Sequence, residues 1–194
     1  MEISDDLYGL VLAGGESRRM GRDKSMLSYH GVTQRKWVYE LLSKFCKRSF
    51  ISVKILDPEE KLPQVPDKFE FNSPLNGTMS ALETFPEKAW LVVSCDMPFI
   101  DEGALSFLLK NRKRDKLVTC FLDTDNQFPE PMVAVWEPGC LPLLREHIHS
   151  DLRPRKFIME NPSEVVRAPD EKWLQNINTY EGFRKVLSII ANDR

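Results

Sequence analysis

The feature that most constrains this chain is Ala89–Ser94 (AWLVVS), a run with no polar side chain before its final serine. A strand with one wet face alternates apolar and polar residues. An unbroken run predicts a strand covered on both faces. Leu10–Ala13, Ser49–Ile55, Leu117–Leu122 and Met132–Trp136 are predicted as further strands, with Val165–Arg167 as a last short one. Helical spacing fills the intervals. Thr33 can cap a helix from Gln34 to about Cys46, with Trp37, Val38, Leu41, Leu42 and Phe45 on one face. Gly77–Phe85 and Leu141–His149 are predicted helices. Asp101 and Glu102 open another, at the end where carboxylates suit the helix dipole. Phe183, Val186, Leu187 and Ile190 mark a C-terminal amphipathic helix. Asp57–Asn76 carries Pro58, Pro63, Pro66 and Pro74 and reads as loop, with one short strand near Phe69–Phe71. Strands alternating with helices imply a three-layer α/β/α, Rossmann-like fold with a largely parallel sheet. The 194 residues suit a single domain spanning 1–194.

Charge narrows the partners. There are 27 basic and 29 acidic residues, a net charge of −2, so no whole-chain attraction to nucleic acid or to an anionic membrane is expected. No apolar run approaches the roughly 20 residues of a membrane span. The acidic start, MEISDDLYGLVLAGG, lacks a basic leader region and reads as a first strand, so a cytoplasmic location is expected. Cys46, Cys95, Cys120 and Cys140 show no CxxC spacing and are expected as thiols. His147 and His149 have no third metal ligand nearby in sequence and are expected on a solvated helix.

Ligands of a parallel α/β sheet bind beyond the carboxyl ends of its strands. After the first strand comes LAGGESRRMGRDK, Leu12–Lys24. Gly14, Gly15 and Gly21 permit close backbone approach, and successive N–H groups in such a loop can cup a phosphate. Arg18, Arg19, Arg22 and Lys24 make it a local anion site in an acidic chain. Neither GxxxxGK[ST] nor GxGxxG fits the glycine spacing. After AWLVVS comes CDMPF, in which Asp96 stands at a strand end before the turn at Pro98. A carboxylate there can hold a Mg²⁺ that bridges phosphate oxygens; the alternative is a turn or cap residue.

The loop resembles the signature LAGGxSxRMGxDK of the molybdenum cofactor guanylyltransferases, the MobA-type nucleotidyltransferases. Leu12, Ala13, Gly14, Gly15, Ser17, Arg19, Met20, Gly21, Asp23 and Lys24 all match. The resemblance implies that the loop wraps a triphosphate, with Arg19 and Lys24 on its oxygens. CDMPF resembles the family segment whose aspartate binds magnesium, which makes Asp96 the implied metal ligand. SPLNG resembles the family's GPLAG nucleobase segment through Pro74, Leu75 and Gly77, departing at Ser73 and Asn76. Asp67 and Glu70 are both candidates for the acidic residue that often precedes it. PEPMVAVW resembles a strand following the acceptor loop, with Glu130 where histidine is common. INTYEGF resembles NTPEDL, so Asn178 could reach metal or phosphate, or cap a helix. Arg153, Arg155 and Lys156 could grip the acceptor's phosphate, or form an exposed basic patch.

The implied reaction passes GMP from GTP to the phosphate of molybdopterin, with Mg²⁺ as cofactor and release of pyrophosphate. The family role also implies contacts with cofactor-delivering and apoenzyme proteins. Two alternatives stay open. One is a related transferase using CTP, or acting on a sugar phosphate or other phosphorylated acceptor. The other is a nucleotide-binding module without catalysis.

Overall fold

A computed structural model of the chain describes residues 4–13, 26–177 and 179–192. In chain order the elements are β1 (Ser4–Leu12), α1 (Gln34–Leu42), β2 (Cys46–Val53), β3 (Gln64–Pro66), α2 (Pro74–Thr84) and β4 (Ala89–Ser94). They continue as α3 (Glu102–Lys110), β5 (Val118–Leu122), β6 (Pro129–Trp136), α4 (Cys140–His147), α5 (Pro154–Glu160), β7 (Ser163–Val166) and α6 (Tyr180–Asn192). A 3₁₀ turn occupies Glu171–Leu174.

The strands form one seven-stranded sheet in the order β3-β2-β1-β4-β6-β5-β7. All neighbouring pairs are parallel except those of β6, which runs against both β4 and β5. The expectation of a largely parallel α/β sheet therefore holds, with one reversed strand inside it. Apolar runs fit because successive side chains enter opposite cores. Leu91 and Val93 of β4 join Leu7 and Val11 of β1 beneath α1 and α3. Trp90 and Val92 join Tyr8, Leu10 and Leu12 on the other face, beneath α2, α4 and α5.

Several boundaries differ from expectation. α1 ends at Leu42, because Lys44 and Phe45 turn the chain through N–H bonds to Leu41 and Leu42, and Cys46 already begins β2. Thr33 stands at the N-cap of α1 but makes no side-chain cap bond. The strand expected at Phe69–Phe71 is absent; the short strand is Gln64–Pro66, paired with β2. Helix α2 begins at Pro74, three residues before the expected Gly77. Its start is chemically marked: the Ser73 hydroxyl accepts from Leu75 N–H, and a first-turn proline needs no donor there. The basic segment after Asp151 forms α5, which spacing alone did not indicate.

Candidate active site

The C-terminal ends of β1 and β4 lie level. Leu12 pairs with Ser94, and Cys95 N–H donates to the Leu12 carbonyl at 3.2 Å. Asp96 thus stands on the rim directly beside the exit of β1. Gly14, Gly15, Ser17, Arg19 and Lys24 lie outside the described residues; Leu12 and Ala13 lead into them. Among the described residues, the Asp96 Oδ1 atom is buried and accepts no hydrogen bond. A buried oxygen without a donor is costly, and a ligand at the rim would offset that cost. The backbone around it is secured, since Ile177 N–H donates to the Asp96 carbonyl at 2.8 Å. That bond brings the INT segment to the rim, although Asn178 itself lies outside the described residues. Tyr29 is also there. Burial, with the Asp96 charge adding, pushes its phenol up to about 12, so it stays protonated. Its ring meets Phe183 of α6 edge-on at 4.9 Å.

On one side of Asp96 a cleft of about 410 Å³ opens between the ends of β1 and β2 and the start of α2. Leu12, Asp67, Phe69, Phe71, Pro74 and Gly77 line it. Gly77 is required by close approach. A methyl group there would collide with Ser52 Oγ and stand 2.9 Å from Leu12 Cδ2, both side chains being buried. Leu75, by contrast, is fully buried in the core below and supports the wall. Asp67 and Glu70 both reach the cleft; Asp67 is half-buried and Glu70 exposed. Burial raises the Asp67 carboxyl above its ordinary value, with Lys54 opposing.

On the other side the reversed β6 brings its N-terminal end to the same rim. A second cleft of about 660 Å³ is lined there by Asp123, Glu130, Arg155, Gln175 and Ile177, among others. Burial raises the Glu130 carboxyl; the Asp96 and Asp123 charges add to this, while the Met132 N–H and Arg155 oppose it. Arg155 lies 3.4 Å from Asp123 and 3.9 Å from Glu130. Of the three basic residues anticipated as an acceptor grip, only Arg155 enters this cleft. Arg153 and Lys156 turn to Asp151, at 2.5 Å and 3.3 Å. Arg153 holds the Asp151 carboxyl well below its usual range.

The remaining sequence candidates settle as structural. The four cysteines are buried thiols, and burial pushes Cys46 and Cys120 up to about 12, which removes them as nucleophiles at neutral pH. Among the described residues no cluster of three His, Cys, Asp or Glu side chains could hold a metal. His147 packs edge-on against Phe157 at 5.3 Å, part of the core rather than of a solvated face. Tyr29 and Asp123 were missed by sequence reasoning. Their meeting at Asp96 and Glu130 depends on tertiary contacts that no local pattern announces.

A largely parallel sheet with a carboxylate between two rim clefts marks an α/β protein that takes its ligands at the strand ends. Residues 9–165 match the family model for the MobA-like NTP transferase domain, and the chain belongs to that family. The Synechocystis "Molybdenum cofactor biosynthesis bifunctional protein" is 31% identical over 185 residues, covering 93% of this chain and 53% of that protein. The chain thus spans about half the length of that relative. An Aquifex aeolicus protein named "Probable molybdenum cofactor guanylyltransferase" is 28% identical over 184 residues, covering 92% of this chain and 89% of its own. The crystal structure of molybdopterin-guanine dinucleotide biosynthesis protein A from Archaeoglobus fulgidus superposes with a TM-score of 0.80. It is 19% identical and covers 95% of this chain and 99% of that one, a likeness of fold.

Proposed function

We propose that this chain transfers GMP from GTP to the phosphate of molybdopterin, in the cytoplasm, forming a guanine dinucleotide and releasing pyrophosphate. The buried, donor-free Asp96 oxygen at the rim carries this reading. A hard oxygen of that kind suits Mg²⁺, and Asp96 is the residue that would hold it. The metal would supply neutralisation of charge on the polyphosphate. Arg19 and Lys24 would grip the triphosphate oxygens, while Leu12, Pro74 and Gly77 shape the base cleft. The N–H groups on the Watson–Crick edge of guanine match the half-buried Asp67 carboxylate. Arg155 would receive the acceptor's phosphate in the second cleft.

An acceptor phosphate oxygen attacks the α-phosphorus of GTP as the bond to the β-phosphate oxygen breaks. The nucleophile is already ionised near neutral pH, so the residues act by positioning and by charge stabilisation rather than as a base. The Aquifex relative's name, a probable molybdenum cofactor guanylyltransferase, supports the guanine and molybdenum-cofactor assignments, and the Synechocystis name supports the latter.

Pyrophosphate release, measured with GTP, CTP, UTP and ATP in Mg²⁺ with and without molybdopterin, tests the proposal. Release is expected with GTP only when the acceptor is present. Preference for CTP would move the assignment to another base. Nucleotide binding without release under any condition would leave a non-catalytic module. Asp96→Ala and Lys24→Ala should each reduce turnover by about 10²-fold or more, the usual loss for an electrostatic stabiliser.

A further inference from the structure

The wall of the nucleotide cleft formed by residues 68–72 has no strand ladder of its own. It is held by a side chain from α2. Asn76 is buried and donates through Nδ2 to the carbonyls of Phe69 at 2.6 Å and Phe71 at 3.1 Å. Its Oδ1 accepts from the Ser80 hydroxyl at 3.1 Å. Ser80 Oγ in turn accepts from Lys68 N–H at 2.8 Å. Two residues one helical turn apart thus satisfy the inward-facing backbone of three wall residues. The lower lip is tied from the same helix. Ser73, while capping α2, donates to the Leu152 carbonyl at 2.5 Å.

The network engages every polar atom of the Asn76 side chain. Both amide protons and the oxygen are committed, and the group is shielded from water. Such a satisfied buried network specifies one backbone arrangement; half of it would leave carbonyls stranded. Phe69 and Phe71 stack at 5.6 Å on this wall, so a shift of their backbone moves two rings that line the cleft.

We infer that Asn76 is a positioning residue that sets nucleobase affinity and selectivity by fixing the Phe69–Phe71 wall. The inference rests on the nucleotide-transfer reading above. An alanine, which the resembling family segment carries at this place, could hold neither carbonyl. The wall is therefore fastened here by a device particular to this side chain.

The test uses the whole chain, with equilibrium binding of Mg²⁺-GTP and Mg²⁺-CTP and with steady-state pyrophosphate release. Asn76→Ala is expected to raise Kd and KM for GTP by about tenfold and to narrow the GTP-to-CTP ratio. Turnover at saturating GTP and the KM for molybdopterin should change far less. Asn76→Asp keeps the shape but points an acceptor at two carbonyls, and should raise KM at least as much. Ser80→Ala, which removes only the hydroxyl between Asn76 and Lys68, should move KM the same way by less, and serves if Asn76→Ala does not fold. Unchanged GTP affinity and base ratio in a folded variant, or a fall in turnover at fixed KM, overturns the inference alone. Wild-type protein that binds none of the four nucleotides overturns it together with the nucleotide reading.

Discussion

At the scale of single residues, the rim holds groups whose placement works against stability. Asp96 leaves a buried oxygen without a donor among the described residues. Asp96→Asn should therefore melt no lower than wild type in metal-free buffer, while turnover falls by about 10²-fold or more. A clear loss in melting temperature would mean that the carboxylate is structural. Glu130 makes the same point through pH. Burial first, then the Asp96 and Asp123 charges, raise its carboxyl in the folded state, so ionisation disfavours folding. That cost is absent below the ordinary glutamate range, grows between that range and the elevated value, and stays constant above it. Glu130→Gln should accordingly raise the melting temperature near pH 8, with the gain fading below the ordinary glutamate range. Calorimetry across that interval checks the sign. Asp96 was legible because a carboxylate just past an unbroken apolar run can only be at a strand end. The pressure on Glu130 was not, because its neighbours come from three separate segments.

At the scale of elements, α2 organises the cleft proposed for the nucleotide. Its N-cap serine reaches Leu152, its first turn lines the opening and holds the wall through Asn76, and Ser80 one turn on completes the hold. Ser73→Ala removes the cap and the tether together and should cost about 1 kcal/mol of stability, read by urea unfolding. A null result would mean that water replaces the hydroxyl at no cost. The helix itself is legible as Gly77–Phe85, but its beginning lies earlier, at Pro74. Pro74 was counted with the loop prolines, although a proline following serine also fits the first position of a helix. The Phe-Glu-Phe alternation looked like a strand for a comparable reason. Its pattern suits one, yet two of its carbonyls are taken by Asn76 instead of by a neighbouring strand.

At the scale of the whole molecule, the end of the sheet away from the rim is locked by charge. Arg112, following α3, meets Glu137, at the end of β6, through two bonds of 2.6 and 2.9 Å, and reaches Asp6 of β1 at 3.2 Å. With side-chain exposures of 7% and 8%, the Arg112–Glu137 pair is buried. Glu137→Ala leaves the buried guanidinium with Asp6 as its remaining carboxylate and should destabilise the fold by about 3 kcal/mol in chemical denaturation, with nucleotide affinity of the folded fraction intact. The layered architecture was legible from apolar runs that fill two cores. The reversal of β6 was not, because such a run carries no sign of direction. That reversal has a consequence for diversification. The connection from β5 into β6, Asp123–Phe128, is a short surface turn closed by Asp123 N–H on the Phe128 carbonyl at 2.7 Å. It overhangs the cleft proposed for the acceptor and belongs to none of the crossovers that build the cleft proposed for the nucleotide. Lengthening or exchanging this one turn would retune what the second cleft admits while the cleft between β1, β2 and α2 stays untouched, a modular border drawn by a single backward strand.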